Sequence, residues 1–204
     1  VWNDHNNETC PATWSQCTGV AQVRWALTGN KGYVPNENLP NVFMAVATDL
    51  GDPTSPYGDV HIRYKPEAAS RLAAGALNVA YGMKDVYYMG PYGANATCKI
   101  DGNNADFMIN FDNVNSDGLM MKNPTGFEYY DSTSKAWVYI KTDIFKIASN
   151  GMSIGFSIAG GKSVTSIRYD WYQAPCNPDT GIYNCAVYDK KSMYPAGPFI
   201  VDVA

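Results

Sequence analysis

The stretch YGDVHIRYK contains an acid and a histidine two residues apart, Asp59 and His61, in a loop with Pro and Gly. A histidine acts as a general base when it takes a proton from a nucleophile, and a carboxylate behind it fixes the tautomer and stabilises the imidazolium. Asp59 and His61 fit these two roles, with Asp52 and Asp49 as alternatives for the acid if the loop folds back. Taken by itself, such a pair is more often a surface or turn feature than a catalytic one.

Two elements must position this loop. Residues 41–48 (NVFMAVAT) form a continuous apolar run, typical of a strand that is covered on both faces in a parallel sheet. Pro66 is well placed to begin a helix, and small apolar residues recur at helical spacing until Gly82. The His61 loop would then lie beyond the carboxyl end of a strand, where open α/β sheets place their sites. The sequence thus predicts an α/β fold with a parallel sheet for residues 1–85.

The pattern changes after residue 85. Apolar and polar residues alternate in three stretches, 106–111, 153–158 and 167–172, bounded by Gly, Asn and Asp. Period-two alternation between turn residues indicates half-buried strands. The sequence predicts an antiparallel β-sandwich-like domain over residues 86–204.

Composition excludes two classes of protein. The chain has 204 residues and a net charge of −4, without a basic run, so nucleic acid is not an expected partner. No apolar run approaches the roughly 20 residues that a membrane span needs. Because the chain begins with Val1 and not Met, we expect a processed product that has lost a signal or pro-segment.

The five cysteines contain two close pairs, Cys10 with Cys17 and Cys176 with Cys185, which leaves Cys98 over. An odd count in a secreted chain suggests a free thiol or a bond to another chain, and which cysteine reaches outward stays open. The spacings do not fit a zinc site, so no metal is expected.

Two N-glycosylation sequons, at Asn7 and Asn95, accompany the cysteines. Together these features predict a glycoprotein that follows the secretory route, with a secreted, extracellular or lysosomal location.

A longer resemblance covers nearly the whole chain and weakens between residues 84 and 163. Residues 23–82 resemble the second half of the catalytic domain of sialate O-acetylesterase. The features that carry the resemblance are Arg24-Trp25, GYVPN (residues 32–36), LPN (39–41), FMAVA (43–47), Ser55-Pro56, His61 and Arg71-Leu72. The tail is similar to the same family through IRYDWYQAPC, CAVYD and PAGPFIV.

The resemblance implies an esterase of the SGNH type, without a cofactor, that removes O-acetyl groups from sialic acids in lysosomes or outside the cell. His61 falls on the position of the family's catalytic histidine, and many relatives have Asp-Ile-His there. The wider SGNH group places the acid three residues before the histidine, where this chain has Gly58, so Asp52 and Asp49 stay alternatives to Asp59.

The same resemblance offers Arg24, Trp25 and Tyr33 as candidate sugar contacts. An ordinary structural role fits the first two equally well, because Arg24 could form a buried ion pair and Trp25 could belong to the core.

One departure from the family matters most. The family's nucleophile lies in a Gly-Gln-Ser-Asn type motif, and this chain has no such motif. We therefore expect the C-terminal chain of a proteolytically processed precursor, inactive by itself, whose separate N-terminal fragment carries the serine and forms a heterodimer with it. An interchain disulfide would account for the odd cysteine count. The alternative is a catalytically inactive esterase-fold protein with a structural or carbohydrate-binding role.

Overall fold

The computed structural model describes residues 19–57, 61–141, 143–172, 175–176 and 181–204. Within them are two α-helices and ten strands. The helices are α1 (Gly19–Leu27) and α2 (Lys65–Gly75), and a π-helical turn (Ala76–Ala80) continues α2. The strands are β1 (Tyr92–Asp101), β2 (Asn104–Asp112), β3 (Leu119–Met121), β4 (Phe127–Asp131), β5 (Ala136–Tyr139), β6 (Lys146–Ile147), β7 (Ser153–Ala159), β8 (Val164–Tyr169), β9 (Val187–Asp189) and β10 (Phe199–Asp202).

Helix α2 forms where its sequence pattern predicts. Pro66 lies in the first turn, where its missing N–H costs no hydrogen bond, and Glu67 places a negative charge at the positive end of the helix. A Cβ atom at Gly75 would come within 2.7 Å of the Phe43 ring. The glycine therefore lets α2 pack directly onto residues 41–48.

The described strands pair antiparallel in three sheets, ordered β1-β2-β7-β6, β10-β8-β4-β5 and β3-β9. The alternation of apolar and polar residues gives each strand one buried and one more exposed face. In β2, Phe107, Ile109 and Phe111 are buried while their neighbours are more exposed. These side chains belong to a core shared with the second four-stranded sheet, and the rings of Phe111 and Phe199 meet edge to face at 5.6 Å.

The prediction of a parallel α/β sheet is wrong. Residues 41–48, here called the apolar segment, form no regular secondary structure, and no backbone N–H of this segment donates a hydrogen bond to a main-chain carbonyl of a described residue. A strand needs a neighbour that supplies complementary backbone groups, and no described element lies in that place. The described fold consists mostly of antiparallel sheets with two helices, and its parallel pairing is an isolated bridge between Ala96 and Val203.

Residues that precede the first strand contact later parts of the chain through ring stacking and a backbone hydrogen bond. The Tyr33 ring stacks on the Tyr92 ring at 4.0 Å, and the backbone N–H of Tyr183 donates to the Asp49 carbonyl at 2.8 Å. Among the described residues, neither helix has the length and apolar character required to cross a bilayer.

Candidate active site

His61 lies on an exposed loop with its side chain open to solvent. The hydroxyl of Ser55 donates a hydrogen bond of 2.6 Å to the His61 carbonyl, which closes the loop on itself. The side chain borders an open cavity of about 520 Å³, whose other described lining residues are Tyr57, Ile62, Arg63 and Lys65. Asp59, the first candidate for the triad acid, lies outside the described residues.

Asp52, the second candidate acid, is bound by Arg63. Asp52 Oδ2 accepts hydrogen bonds from the Arg63 backbone N–H at 3.0 Å and from Nε at 2.7 Å, and Oδ1 accepts one from Nη2 at 2.7 Å. These hydrogen bonds lower the pKa of Asp52 to about 2. The ion pair joins a residue before His61 to a residue after it, and it thereby holds the loop in position.

Asp49, the third candidate, is buried in an ion pair with Arg71, with Nη1–Oδ1 at 2.6 Å and Nη2–Oδ2 at 2.9 Å. The Tyr188 hydroxyl also donates to Asp49 Oδ2 at 3.4 Å. Both described alternatives for the acid are thus engaged by arginines. The sequence shows the carboxylates, but their arginine partners are 11 and 22 residues away and follow no local pattern.

The three candidate sugar contacts lie elsewhere. Arg24 Nη1 donates to the Tyr172 carbonyl at 2.7 Å, and the Trp25 ring meets the Trp171 ring edge to face at 5.6 Å. Tyr33 is engaged in its stack against Tyr92. None of Arg24, Trp25 and Tyr33 is among the described residues that line the His61 cavity.

A second cavity, of about 440 Å³, is mostly apolar and was not expected from the sequence. The apolar segment forms one wall, and Leu27, Val34 and Pro198 contribute to the others. Large apolar side chains around this cavity are open to solvent, with Leu27 69% exposed and Val42 39% exposed. The run NVFMAVAT predicts burial, but among these residues Thr48 is buried, Asn41 and Val42 are exposed, and residues 43–47 are half-buried.

The cysteine prediction is confirmed for one pair, since Cys176 and Cys185 form a disulfide. Cys98 in β1 is half-buried and forms no disulfide with a described residue, and burial raises the pKa of its thiol. Cys10 and Cys17 lie outside the described residues.

Asp170 is a buried acid that sequence analysis did not single out. It has a φ of 60° and lies beside the disulfide, with its Oδ1 3.7 Å from Cys176 Sγ. Its Oδ2 has no hydrogen-bond partner among the described residues, and burial raises its pKa to about 7 against the opposing charge of Arg24. Potential ligand atoms of Asp170, Cys176 and Cys185 lie within 4.8 Å of one another, but sulfurs joined in a disulfide are not thiolate ligands for a metal.

Of the two sequons, the described one lies on the surface. Asn95 in β1 is exposed, and its Oδ1 accepts a hydrogen bond from Asn110 Nδ2 at 2.7 Å. Asn7 lies outside the described residues.

The sequence that contains strands β1 to β10 matches a known protein family. The sequence model of the sialate O-acetylesterase C-terminal domain matches residues 96–203. The chain therefore belongs to the sialate O-acetylesterase family, as its sequence resemblance predicts.

Individual relatives extend the match beyond this domain. The chain is 32% identical over 186 residues to sialate O-acetylesterase of Mus musculus, which covers 91% of this chain and 33% of that protein. It is 32% identical over 182 residues to the enzyme of Homo sapiens, covering 89% of this chain and 33% of that protein. The chain thus spans about a third of the length of these relatives.

Proposed function

We propose that this chain is the histidine-bearing C-terminal part of a serine esterase that removes O-acetyl groups from sialic acids or related sugars. Its nucleophilic serine would lie on a separate N-terminal chain, without which this chain is inactive. The observation that carries the proposal is the exposed His61 imidazole beside an open cavity, in a chain homologous to sialate O-acetylesterases.

The loop geometry supports a catalytic role for His61. A general base must be accessible to the nucleophile and yet held in place. The Ser55 hydroxyl holds the His61 carbonyl, and Asp52 holds the backbone N–H of Arg63, two residues further along the chain. This arrangement leaves the imidazole free to face a partner.

The mechanism follows from the role of the histidine. The partner's serine attacks the acetyl carbonyl while His61 accepts the serine proton, and donors on the partner stabilise the oxyanion. His61 then protonates the departing sugar oxygen, and the acetyl group stays on the serine as an acetyl-enzyme. Water attacks this ester with His61 again as the base, releasing acetate and restoring the serine. Asp59 would orient the imidazole, with Asp52 and Asp49 as alternatives that would first have to leave their arginines.

The apolar segment supports the requirement for a partner. Its backbone N–H groups lack main-chain partners among the described residues, and the apolar cavity beside it is open. Backbone groups without main-chain partners can pair with another chain, and a large exposed apolar surface often marks a site of protein–protein contact. An N-terminal chain packed on this face would pair with these groups and cover the apolar surface, and an interchain disulfide through one of the five cysteines would be an additional link.

We also propose that the protein follows the secretory route to a secreted, extracellular or lysosomal location. The Cys176–Cys185 disulfide supports this, because disulfides persist in oxidising compartments. The exposed sequon at Asn95 is accessible to a glycan.

Replacement of the histidine in the two-chain assembly tests the proposal. The assembly would be made by co-expressing this chain with the N-terminal part of its precursor, and hydrolysis of an O-acetylated sialic acid would be followed. His61→Ala should lower kcat by at least about 10⁴-fold, as for other triad members, with an unchanged melting temperature because the side chain is exposed. Tyr81→Phe, at another exposed aromatic position, should leave the rate unchanged. An unchanged rate in His61→Ala contradicts the proposal.

One observation favours the second candidate function, a catalytically inactive sugar-binding or structural protein. Both described alternatives for the triad acid are already paired with arginine, through Asp52–Arg63 and Asp49–Arg71. If the assembly binds O-acetylated sialic acid without releasing acetate, this second function replaces the first.

A further inference from the structure

Cations outnumber anions among the described residues that line the cavity beside His61. Two of its five described lining residues are cations, Arg63 and Lys65, and none is a carboxylate. This local charge contrasts with the net charge of −4 for the chain.

The two cations differ in how they are paired. The guanidinium of Arg63 is matched by both oxygens of Asp52. Lys65 is exposed and forms no ion pair or hydrogen bond with a described residue. Among the described lining residues, Lys65 is therefore the cation without a paired carboxylate.

We propose that Lys65 is a specificity-determining residue that binds the carboxylate of an acidic acetylated sugar while His61 acts on the ester of the same molecule. This inference rests on the proposed esterase function. A compact ammonium group attracts a carboxylate as a point charge, and an acetylated neutral sugar has no group to match it.

The backbone holds Lys65 at a fixed place relative to His61. Arg63, midway between them, is anchored by its N–H to Asp52. Lys65 is the first residue of α2, which Arg71 ties to the buried Asp49. The cavity volume of about 520 Å³ lies within the range of roughly 300–1,000 Å³ that is usual for small-molecule sites.

The test compares an acidic substrate with its uncharged form in the two-chain assembly. An O-acetylated sialic acid and its methyl ester differ in the carboxylate charge and share the acetyl group that is hydrolysed. Lys65→Met should lower the ratio of kcat/KM for the acid to kcat/KM for the methyl ester by about fivefold, the upper range for a solvent-exposed charge pair. The loss should lie mainly in KM for the acid.

Two further variants separate charge from structure. Lys65→Arg keeps the positive charge and should restore most of the ratio. Lys99→Met removes an exposed lysine from β1, away from the cavity, and should leave the ratio unchanged. Added salt should lower the ratio in the unsubstituted protein and have little effect in Lys65→Met, because salt screens exposed charges.

An unchanged ratio in Lys65→Met, or equal losses on both substrates, overturns the role of Lys65. Failure of the esterase proposal itself gives a different result, since the unsubstituted assembly would then release no acetate from either substrate, or His61→Ala would retain full activity on both.

Discussion

Arg71 and Asp49 form a buried two-point ion pair in which Nη1 lies 2.6 Å from Oδ1 and Nη2 lies 2.9 Å from Oδ2. Arg71 Nη1 also donates to the Val46 carbonyl in the apolar segment. On the other side, Asp49 accepts hydrogen bonds from the Tyr188 hydroxyl and the Tyr183 N–H. The pair thus connects α2, the start of the His61 loop and strand β9, which contains Tyr188.

Removing one partner of this pair should destabilise the protein strongly. Arg71→Met leaves the Asp49 carboxylate buried without its counter-charge, which costs about 3–5 kcal/mol in comparable pairs. The measurement is urea unfolding of the purified assembly. Lys31→Gln serves as control, because it breaks the exposed Lys31–Glu37 pair and should change the free energy of unfolding very little. Similar effects of the two substitutions would contradict the structural role of Arg71.

Asp170 should make stability depend on pH. Its pKa is about 7 in the folded state, because of burial, and 3.8 is the ordinary value. At a pH between these two pKa values, Asp170 keeps its proton in the folded state and has lost it in the unfolded state. The free energy of unfolding should therefore fall as pH rises from about 4 to 7.

Asp170→Asn removes the titrating group and keeps nearly the same side-chain shape. Asparagine also tolerates the positive φ of 60° at this position. The stability advantage of the variant over the unsubstituted protein should therefore grow as pH rises from about 4 to 7. Denaturant midpoints across this range provide the measurement. A constant difference between the two proteins would show that Asp170 is not the responsible group.

The Cys176–Cys185 disulfide closes a short loop, with a sequence separation of 9. Replacing both cysteines by serine should cost about 2–3 kcal/mol, the loop-closure contribution for this length. Thermal unfolding under non-reducing conditions would show the loss. Cys98→Ser should have a smaller effect, and an equal loss in both variants would argue against a structural role for the disulfide.

The apolar face of α1 should carry the contact with the N-terminal chain. Leu27→Asp places a charge on a side chain that is 69% exposed beside the apolar cavity. Burial of a leucine contributes about 1.5–3 kcal/mol, so association should weaken by at least about tenfold. Co-purification shows whether the two chains still associate, and a binding titration of one chain with the other measures the change in affinity. Ile100→Asp, at a 49% exposed position in β1, is the matched control, and equal weakening in both would place the interface elsewhere.

The sequence predicts the elements whose pattern is local. Pro66 and the alanine spacing predict α2, and the alternation through Phe107, Ile109 and Phe111 predicts β2, because both patterns follow from the period of the element itself. The apolar segment was misinterpreted for a different reason. Its composition indicates burial, but whether it pairs as a strand depends on neighbours that no sequence pattern in this segment specifies.

The roles assigned to the candidate site residues stay predictions, and the structure adds their surroundings. His61 was found through the resemblance, and its exposure beside a cavity is consistent with that role. The arginine partners of Asp52 and Asp49 could not be predicted, because these contacts depend on how the chain folds back. Asp170 gave no signal, since its raised pKa results from burial and not from a motif.

Labelling of the native protein with a serine-reactive fluorophosphonate probe, followed by mass spectrometry before and after reduction, tests whether this chain forms a serine esterase with a second chain. We expect the probe to modify a serine on a second chain that accompanies this one, and His61→Ala to abolish the labelling in the recombinant assembly. Labelling that persists in His61→Ala, or the absence of a second chain with a reactive serine, would contradict this expectation.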